Sequence, residues 1–280
     1  MKLQGKVDAN EGGRLPPGWR DSLKWGYLCA LYLKIIEGSR FMPARDFDEK
    51  GFLSDYVYEH KEEVRKKYAG GFADCECIST QAQKLLLNVD VSDNDTPMLC
   101  SLLFFERTIR TAQAAVRLCE IGMVQEAQIL VRTAYETAFH ASALIADPAI
   151  FKKLDAHNNS EDVKQARAML ADVPSDQLSE INKQYLKEIV DTRTGESFSV
   201  YSSAKAAGML NLYSVVYRGL SSLAGHATFR SLDRSFIEDD SGYALYMGPT
   251  ENQLIFTLSL IAQCLTISIK GLDEIKSKAQ

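Results

Sequence analysis

Arg132, Glu136 and His140 follow one another at four-residue steps. On a helix such a series drifts only about 80° around the axis, so a guanidinium, a carboxylate and an imidazole share one stripe. The flanking positions are mostly apolar. Two readings follow. As a site, Glu136 fixes the tautomer of a histidine or raises its pKa while Arg132 binds an anion. As scaffolding, Arg132 pairs with Glu136, and Glu136 or Glu106 pairs with an arginine of a neighbouring helix, because buried charges must be paired. Glu106 and Arg110, on the preceding helix, belong to the supporting set in either reading.

A second constellation lies in YRGLSSLAGHATFRS, where Arg218 and His226 are followed by Arg230 and Arg234. Histidine can act as general base and arginine can stabilise charge on phosphate, the chemistry of phosphate binding or RNA cleavage. In one continuous helix the two residues lie about 12 Å apart along the axis. Both can touch a nucleotide chain, but not a single atom. The alternative makes His226 a cation at a helix C-terminus. Ser222 precedes His226 by four residues, yet no third group completes a triad.

Other chemistries lack their residues. Glu136-x-x-x-His140 differs from the Glu-x-x-His of di-iron bundles and occurs once. Asp90, Asp93, Asn94 and Asp95 lack the central glycine and terminal glutamate of a calcium loop, and read as a polar loop. The P-loop and Rossmann glycine patterns are absent, as is any Cys-x-x-Cys. No metal and no cofactor is expected.

The elements that must position these residues are helical. Pro97 suits the first turn of a helix over 98–121. Gly122 joins it to a second helix over 124–146, which stops before Asp147-Pro148. So short a connection predicts antiparallel neighbours, with Leu103, Ile109, Ala114 and Val116 facing Ala127, Leu130, Val131, Ala134 and Ala138. Helices are also predicted over 22–36, 55–68 and 74–88, with Gly70-Gly71 as a stop. Beyond the central pair they are expected over 151–172 with a break at Asn158-Asn159, over 176–190 after Pro174-Ser175, over 204–224 and over 251–276. Residues 228–249 have room for a short helix or a hairpin. With no βαβ rhythm and no short repeat, the fold class is all-α, an irregular bundle around a central antiparallel pair. Residues 1–18 read as a flexible tail, 19–97 as helices packed on the core, and 98–280 as the core domain.

With 280 residues, 46% hydrophobic and 25% charged, the chain has the balance of a soluble globular protein. A net charge of −5 argues against broad, non-specific nucleic-acid binding, which rests on phosphate neutralisation, but leaves room for a local basic site. The six cysteines sit mostly in apolar helical patterns, and the polar N-terminus has no signal-peptide core, so a reduced cytoplasmic protein is expected. Leu254 to Ile269 carries no charge over 16 residues. A membrane span needs about 20 apolar residues, and polar side chains interrupt this run, so a buried helix is expected rather than stable membrane insertion.

Two segments resemble a known family. ERTIRTAQAAVRLCEIGMVQEAQILVRTAYETAFHASALIADP is similar to the core of a bacterial family known as domain-of-unknown-function family 5677. The family's pattern has a helix ending in a small turn, an arginine and a glutamate four apart, and an aspartate-proline stop; Arg132, Glu136 and Asp147-Pro148 fit it. NLYSVVYRGLSSLAGHAT resembles the family's tyrosine-serine-histidine helix, through Tyr217, Ser221 or Ser222, and His226. Members of the family often look like parts of anti-phage or mobile-element gene sets. That resemblance implies a partner protein from the same gene set. More remotely, the two-helix core resembles the higher eukaryote and prokaryote nucleotide-binding (HEPN) domains, which are all-α, usually dimeric, and often metal-independent ribonucleases with an arginine–histidine motif. Seven residues separate Arg218 from His226 here, more than in that motif.

The first expectation is therefore an RNA-targeting defence or toxin effector, a homodimer binding RNA or a nucleotide. His226 would be its base, Arg218 its phosphate ligand, and Arg132, Glu136, His140, Tyr217, Ser222, Glu106 and Arg110 would bind or support. The second is a non-catalytic interaction or ligand-sensing protein whose buried charges hold the core together. The third is a membrane-acting effector using 254–269.

Overall fold

Two long helices with complementary stripes form the centre of the molecule. The computed structural model describes residues 45–92, 94–225, 231, 236–239 and 242–278. The tail 1–18, the helix expected over 22–36, Arg230, Arg234 and His226 lie outside the described residues. The helices in order are α1 (Arg45–Lys50), α2 (Tyr56–Lys67), α3 (Ala69–Leu86), α4 (Thr96–Glu120) and α5 (Val124–Ala146). Then come α6 (Ile150–Asp172), α7 (Glu180–Thr192), α8 (Val200–Ala206), a segment over 210–225 termed α9, and α10 (Leu254–Lys278). The fold is all-α. A hairpin of β1 (Phe236–Asp239) and β2 (Gly242–Leu245), paired antiparallel with Phe236 opposite Leu245, falls outside the compact unit formed by 41–233 and 247–280.

In α4 the buried positions Ser101, Phe105, Thr108, Ala112, Ala115 and Cys119 alternate steps of four and three. In α5 Ala127, Val131, Ala134, Ala138, Ala141 and Ile145 do the same. Two such stripes pack nearly parallel to each other's axes. Alanines on α5 let the backbones approach: Ser101 Oγ donates to the Ala141 carbonyl at 2.9 Å, and the Thr108 and Thr137 hydroxyls meet at 2.8 Å. Of the expected seam, Leu103 is 57% exposed and Ala114 is also exposed. The stripe runs through Phe105 and Ala112 instead, because the 3.5-residue period displaces those two positions towards solvent.

The turn between the pair is specified locally. Gly122 has φ +76°, and the Met123 N–H reaches back to the Leu118 carbonyl at 3.0 Å, the glycine stop of a helix C-terminus. A Cβ at Gly122 would lie 2.5 Å from Pro249 Cβ and 2.8 Å from His60 Nε2. At the other end of α4, the Asp95 carboxylate caps the helix by accepting from the Met98 N–H at 3.1 Å.

Helix α10 packs against α3, α4 and α5. Its Gly271 lies under the Phe105 ring so closely that a Cβ would come within 2.1 Å of Cζ. By length and composition α10 could cross a membrane, but 56% of its most apolar window is buried inside the protein. Helix α3 adds Phe72, Cys75 and Ala82 to the same core.

Several expected boundaries moved. Gly70 and Gly71 do not stop a helix; they lie in the first turn of α3, where Gly71 admits Leu258 Cδ1 to 3.1 Å of a notional Cβ. The break falls at Tyr68. Helix α6 runs unbroken through Asn158 and Asn159, since Asn159 pairs with Asp155 one turn earlier and the loop at Gly195 covers the backbone of Ala156 and Ser160. Helix α7 begins at Glu180 behind a Ser179 cap, rather than after Pro174-Ser175. The expected single helix over 204–224 is split at Gly208, φ +68°, into α8 and α9.

Candidate functional site

Helix α9 is not uniform. Short α turns at Leu210–Leu212 and Arg218–Leu220 alternate with π turns at Tyr213–Tyr217 and Ser221–Gly225. π turns arise where a helix is locally widened, and they recur at functional sites. Here the wider turns bring Tyr217 and Ser221 onto the face of α5 that carries Arg132 and Glu136.

Four side chains meet there. Arg132 Nε donates to Ser221 Oγ at 2.8 Å and Arg132 NH2 to the Tyr217 hydroxyl at 2.6 Å. The Tyr217 hydroxyl donates to Glu136 Oε2 at 3.0 Å, and the Ser221 hydroxyl donates to the Tyr217 carbonyl at 2.8 Å. The guanidinium also lies over the Tyr217 ring, 4.5 Å from its centroid. Arg132 NH1 stands 3.5 Å from Glu136 Oε2, an ion-pair distance rather than a good hydrogen bond. Gly225 completes the enclosure: a Cβ there would lie 2.9 Å from Arg132 Cδ, so the backbone rests on the arginine stem.

The cluster is not saturated. A guanidinium carries five N–H donors, and Arg132 uses one at Nε and one at NH2 in hydrogen bonds to described residues. Glu136 Oε1 has no hydrogen-bond partner among the described residues. The two side chains are 21% and 33% exposed, so spare donors and a spare acceptor face solvent from an otherwise ordered frame. Burial, followed by the neighbouring Glu136 charge, pushes the Tyr217 phenol up to about 12, with Arg132 opposing. Tyr217 therefore stays protonated and keeps donating to Glu136 at neutral pH.

Behind this frame the rings continue. Tyr217 stacks on Tyr213 at 5.3 Å, Tyr213 meets Tyr201 of α8 edge to face at 5.5 Å, and Phe139 packs against both Tyr213 and Tyr217.

The other sequence-selected residues go elsewhere. His140 keeps the α5 stripe but turns to α8, where Nδ1 meets Ser203 Oγ at 2.7 Å, and it packs on Phe104. Burial holds its imidazole below the ordinary range, against an upward pull from Glu136. Glu106 and Arg110 form an exposed pair on α4 at 3.2 Å. Arg218 is exposed, and Ser222 donates to the Gly219 carbonyl at 3.0 Å. Arg132, Glu136 and Tyr217 are thus brought together with Ser221; His140, Ser222, Glu106 and Arg110 are not part of the group. His226 lies outside the described residues.

A second charged cluster had no motif to announce it. Glu120, only 1% exposed at the end of α4, receives Lys61 at 3.1 Å, Arg117 at 3.0 and 3.1 Å, and Arg65. Burial pushes the carboxyl up, and the hydrogen bonds and charges of Lys61 and Arg117 outweigh it, leaving it below the usual carboxylate range. Only the Arg117–Glu120 spacing was visible in sequence; Lys61 and Arg65 arrive from α2. Among the described residues no group of three or more His, Cys, Asp or Glu is arranged to hold a metal.

Against known proteins, one family model matches the chain, over residues 99–244; its description is a family of unknown function (DUF5677). That span holds all four residues of the Arg132 cluster. No curated protein and no solved structure matches.

Proposed function

The chain belongs to the family of unknown function DUF5677, and from that premise and the geometry of its polar cluster we propose that it is an RNA-targeting helical effector. The observation that carries this reading is the unsaturated Arg132: a guanidinium locked in place by Ser221, Tyr217 and the Tyr217 ring, with donors left over for a phosphate oxygen. Arg218 follows Tyr217 directly and is exposed, a second cation for the same phosphate chain. His226 follows Gly225, whose backbone rests on Arg132.

The reaction this set supports is transesterification. His226 takes the proton of a ribose 2′-hydroxyl, O2′ attacks the adjacent phosphorus, and the P–O5′ bond breaks. The departing O5′ takes up a proton, leaving a 2′,3′-cyclic phosphate on one fragment and a 5′-hydroxyl on the other. Arg132 and Arg218 neutralise the charge that builds on phosphorus oxygens. Incubating the purified protein with single-stranded RNA in the presence of a chelator should yield fragments ending in cyclic phosphate. His226→Ala and Arg218→Ala should abolish cleavage without changing the circular dichroism spectrum. RNA left intact by the wild-type protein, together with a His226→Ala form as toxic to cells as wild type, would refute the proposal.

One observation favours a second reading, a non-catalytic sensor. The Arg132 bonds join α5 to a segment 85 and 89 residues later, so the same charges tie the bundle together. On this reading Glu136→Gln lowers stability sharply, and His226→Ala leaves every activity in place.

A further inference from the structure

A cleft of about 350 Å³ runs between α3 and α4, away from the Arg132 cluster. Glu76, Ser79 and Thr80 form one wall, Gln113, Ala114 and Arg117 the other. Buried Cys75 and Val116 give it an apolar floor. Both ends are closed by side-chain bridges. Gln113 Nε2 donates to Ser79 Oγ at 3.0 Å at one end; Arg65 joins Glu76, at 2.6 Å, to Glu120 at the other. From Gln113 to Glu120 the wall is about 10 Å long.

Each wall carries one charged side chain that is already ion-paired, Arg117 with Glu120 and Glu76 with Arg65, but keeps hydrogen-bonding capacity towards solvent. Arg117 meets Glu120 through NH1 alone, so Nε and NH2 have no hydrogen-bond partner among the described residues. Glu76 gives Oε1 to Arg65 and keeps Oε2. The Gln113 carbonyl oxygen likewise accepts no hydrogen bond from a described residue. A simple anion would satisfy Arg117 and be repelled by Glu76; a simple cation would meet the reverse. A molecule with both charges a few bonds apart satisfies each wall, and its apolar portion covers the floor.

We propose that this cleft binds a small zwitterion of the α-amino-acid class, its carboxylate on Arg117, its ammonium on Glu76, and its side chain over Cys75 and Val116. The volume lies at the small end of ligand pockets, about 300–1,000 Å³, which suits a single amino acid better than a nucleotide. The assignment is independent of the RNA reading.

Titration calorimetry of the full chain against the standard amino acids, one at a time at millimolar concentration, tests it. At least one should bind saturably. Arg117→Met should weaken that binding by about tenfold or more, since a charge-assisted pair is removed, and Ala114→Trp, at an exposed position, should fill the cleft and abolish it. Circular dichroism checks that both variants fold, and Ala114→Trp should cleave RNA as the wild type does. Absence of binding by any amino acid to the wild type overturns the proposal. So does binding that survives Ala114→Trp, or acetate or methylammonium binding as tightly as the zwitterion.

Discussion

Replacing Arg132 by methionine and Tyr217 by phenylalanine, singly and together, measures whether the cluster acts as a unit. Methionine keeps much of the arginine stem and removes the bonds to Ser221 at 2.8 Å and Tyr217 at 2.6 Å. A hydrogen bond to a charged group is worth about 1.5–3 kcal/mol net when buried, and the stacking over the ring adds about 0.5–1 kcal/mol. Arg132 retains 21% exposure, and Ser221 and Tyr217 keep other partners, so the loss should fall below the low end of that sum, about 3.5 kcal/mol, at about 2–3 kcal/mol. Tyr217→Phe loses the bonds to both Arg132 and Glu136 but leaves those two able to approach each other and water, which should cost about 1–2 kcal/mol. The bond common to both variants is lost once in the double mutant, so its cost should fall short of the sum by about 1 kcal/mol. Urea denaturation at neutral pH reads all four values, provided the slopes agree. Additivity within about 0.3–0.5 kcal/mol would mean the Arg132–Tyr217 contact carries no energy, and the argument for a pre-ordered arginine would fall.

Three further outcomes follow from the same geometry. Glu120→Gln leaves Lys61, Arg65 and Arg117 without their buried counter-charge and should cost about 2–4 kcal/mol, less than a fully buried pair because the cations are partly wet. The Glu120 carboxyl is depressed in the folded protein, so its contribution is complete above the unfolded carboxylate pKa and lost as pH falls through the folded one; the variant should lack that acid-side loss in urea midpoints. Gly122→Ala puts a Cβ at φ +76° against Pro249 and His60 and should lower stability by at least about 2 kcal/mol in the same assay. His140 is also depressed, but as a base, so the unfolded chain binds its proton first; its contribution should be whole above about pH 6.5 and shrink as pH falls below it. His140→Gln should flatten that limb, and an NMR titration placing the His140 midpoint above the free-histidine value would contradict the sign.

Much of the scaffold could be read from residue order alone, because its signals are local. Pro97 in the first turn, the Gly122 stop and the Asp147-Pro148 ending bound α4 and α5 within a residue or two of their positions. Gly70-Gly71 misled for the opposite reason: Gly71 makes room for a distant neighbour, Leu258, inside the first turn of a helix rather than marking a local stop. The π turns of α9 were invisible, since nothing in NLYSVVYRGLSSLAG departs from helical spacing; the widening belongs to packing against α5. The i, i+4 rule placed Arg132 beside Glu136 and correctly kept His140 on the same helix stripe. It could not foresee that Ser203, from a helix 60 residues on, would draw the imidazole aside. Glu120 was legible only as a member of an amphipathic helix, because its counter-ions Lys61 and Arg65 come from an element that sequence spacing cannot align with it.

The nesting of Phe105 over Gly271 has a further consequence for α10. A ring seated on bare backbone works as a latch. Withdrawing the helix would expose the ring and strip the inner faces of α3, α4 and α5 in the same movement. Any route by which this greasy rod reached a lipid bilayer would therefore have to begin with dismantling the bundle, and would carry the kinetics of global unfolding rather than those of a hinged arm swinging out.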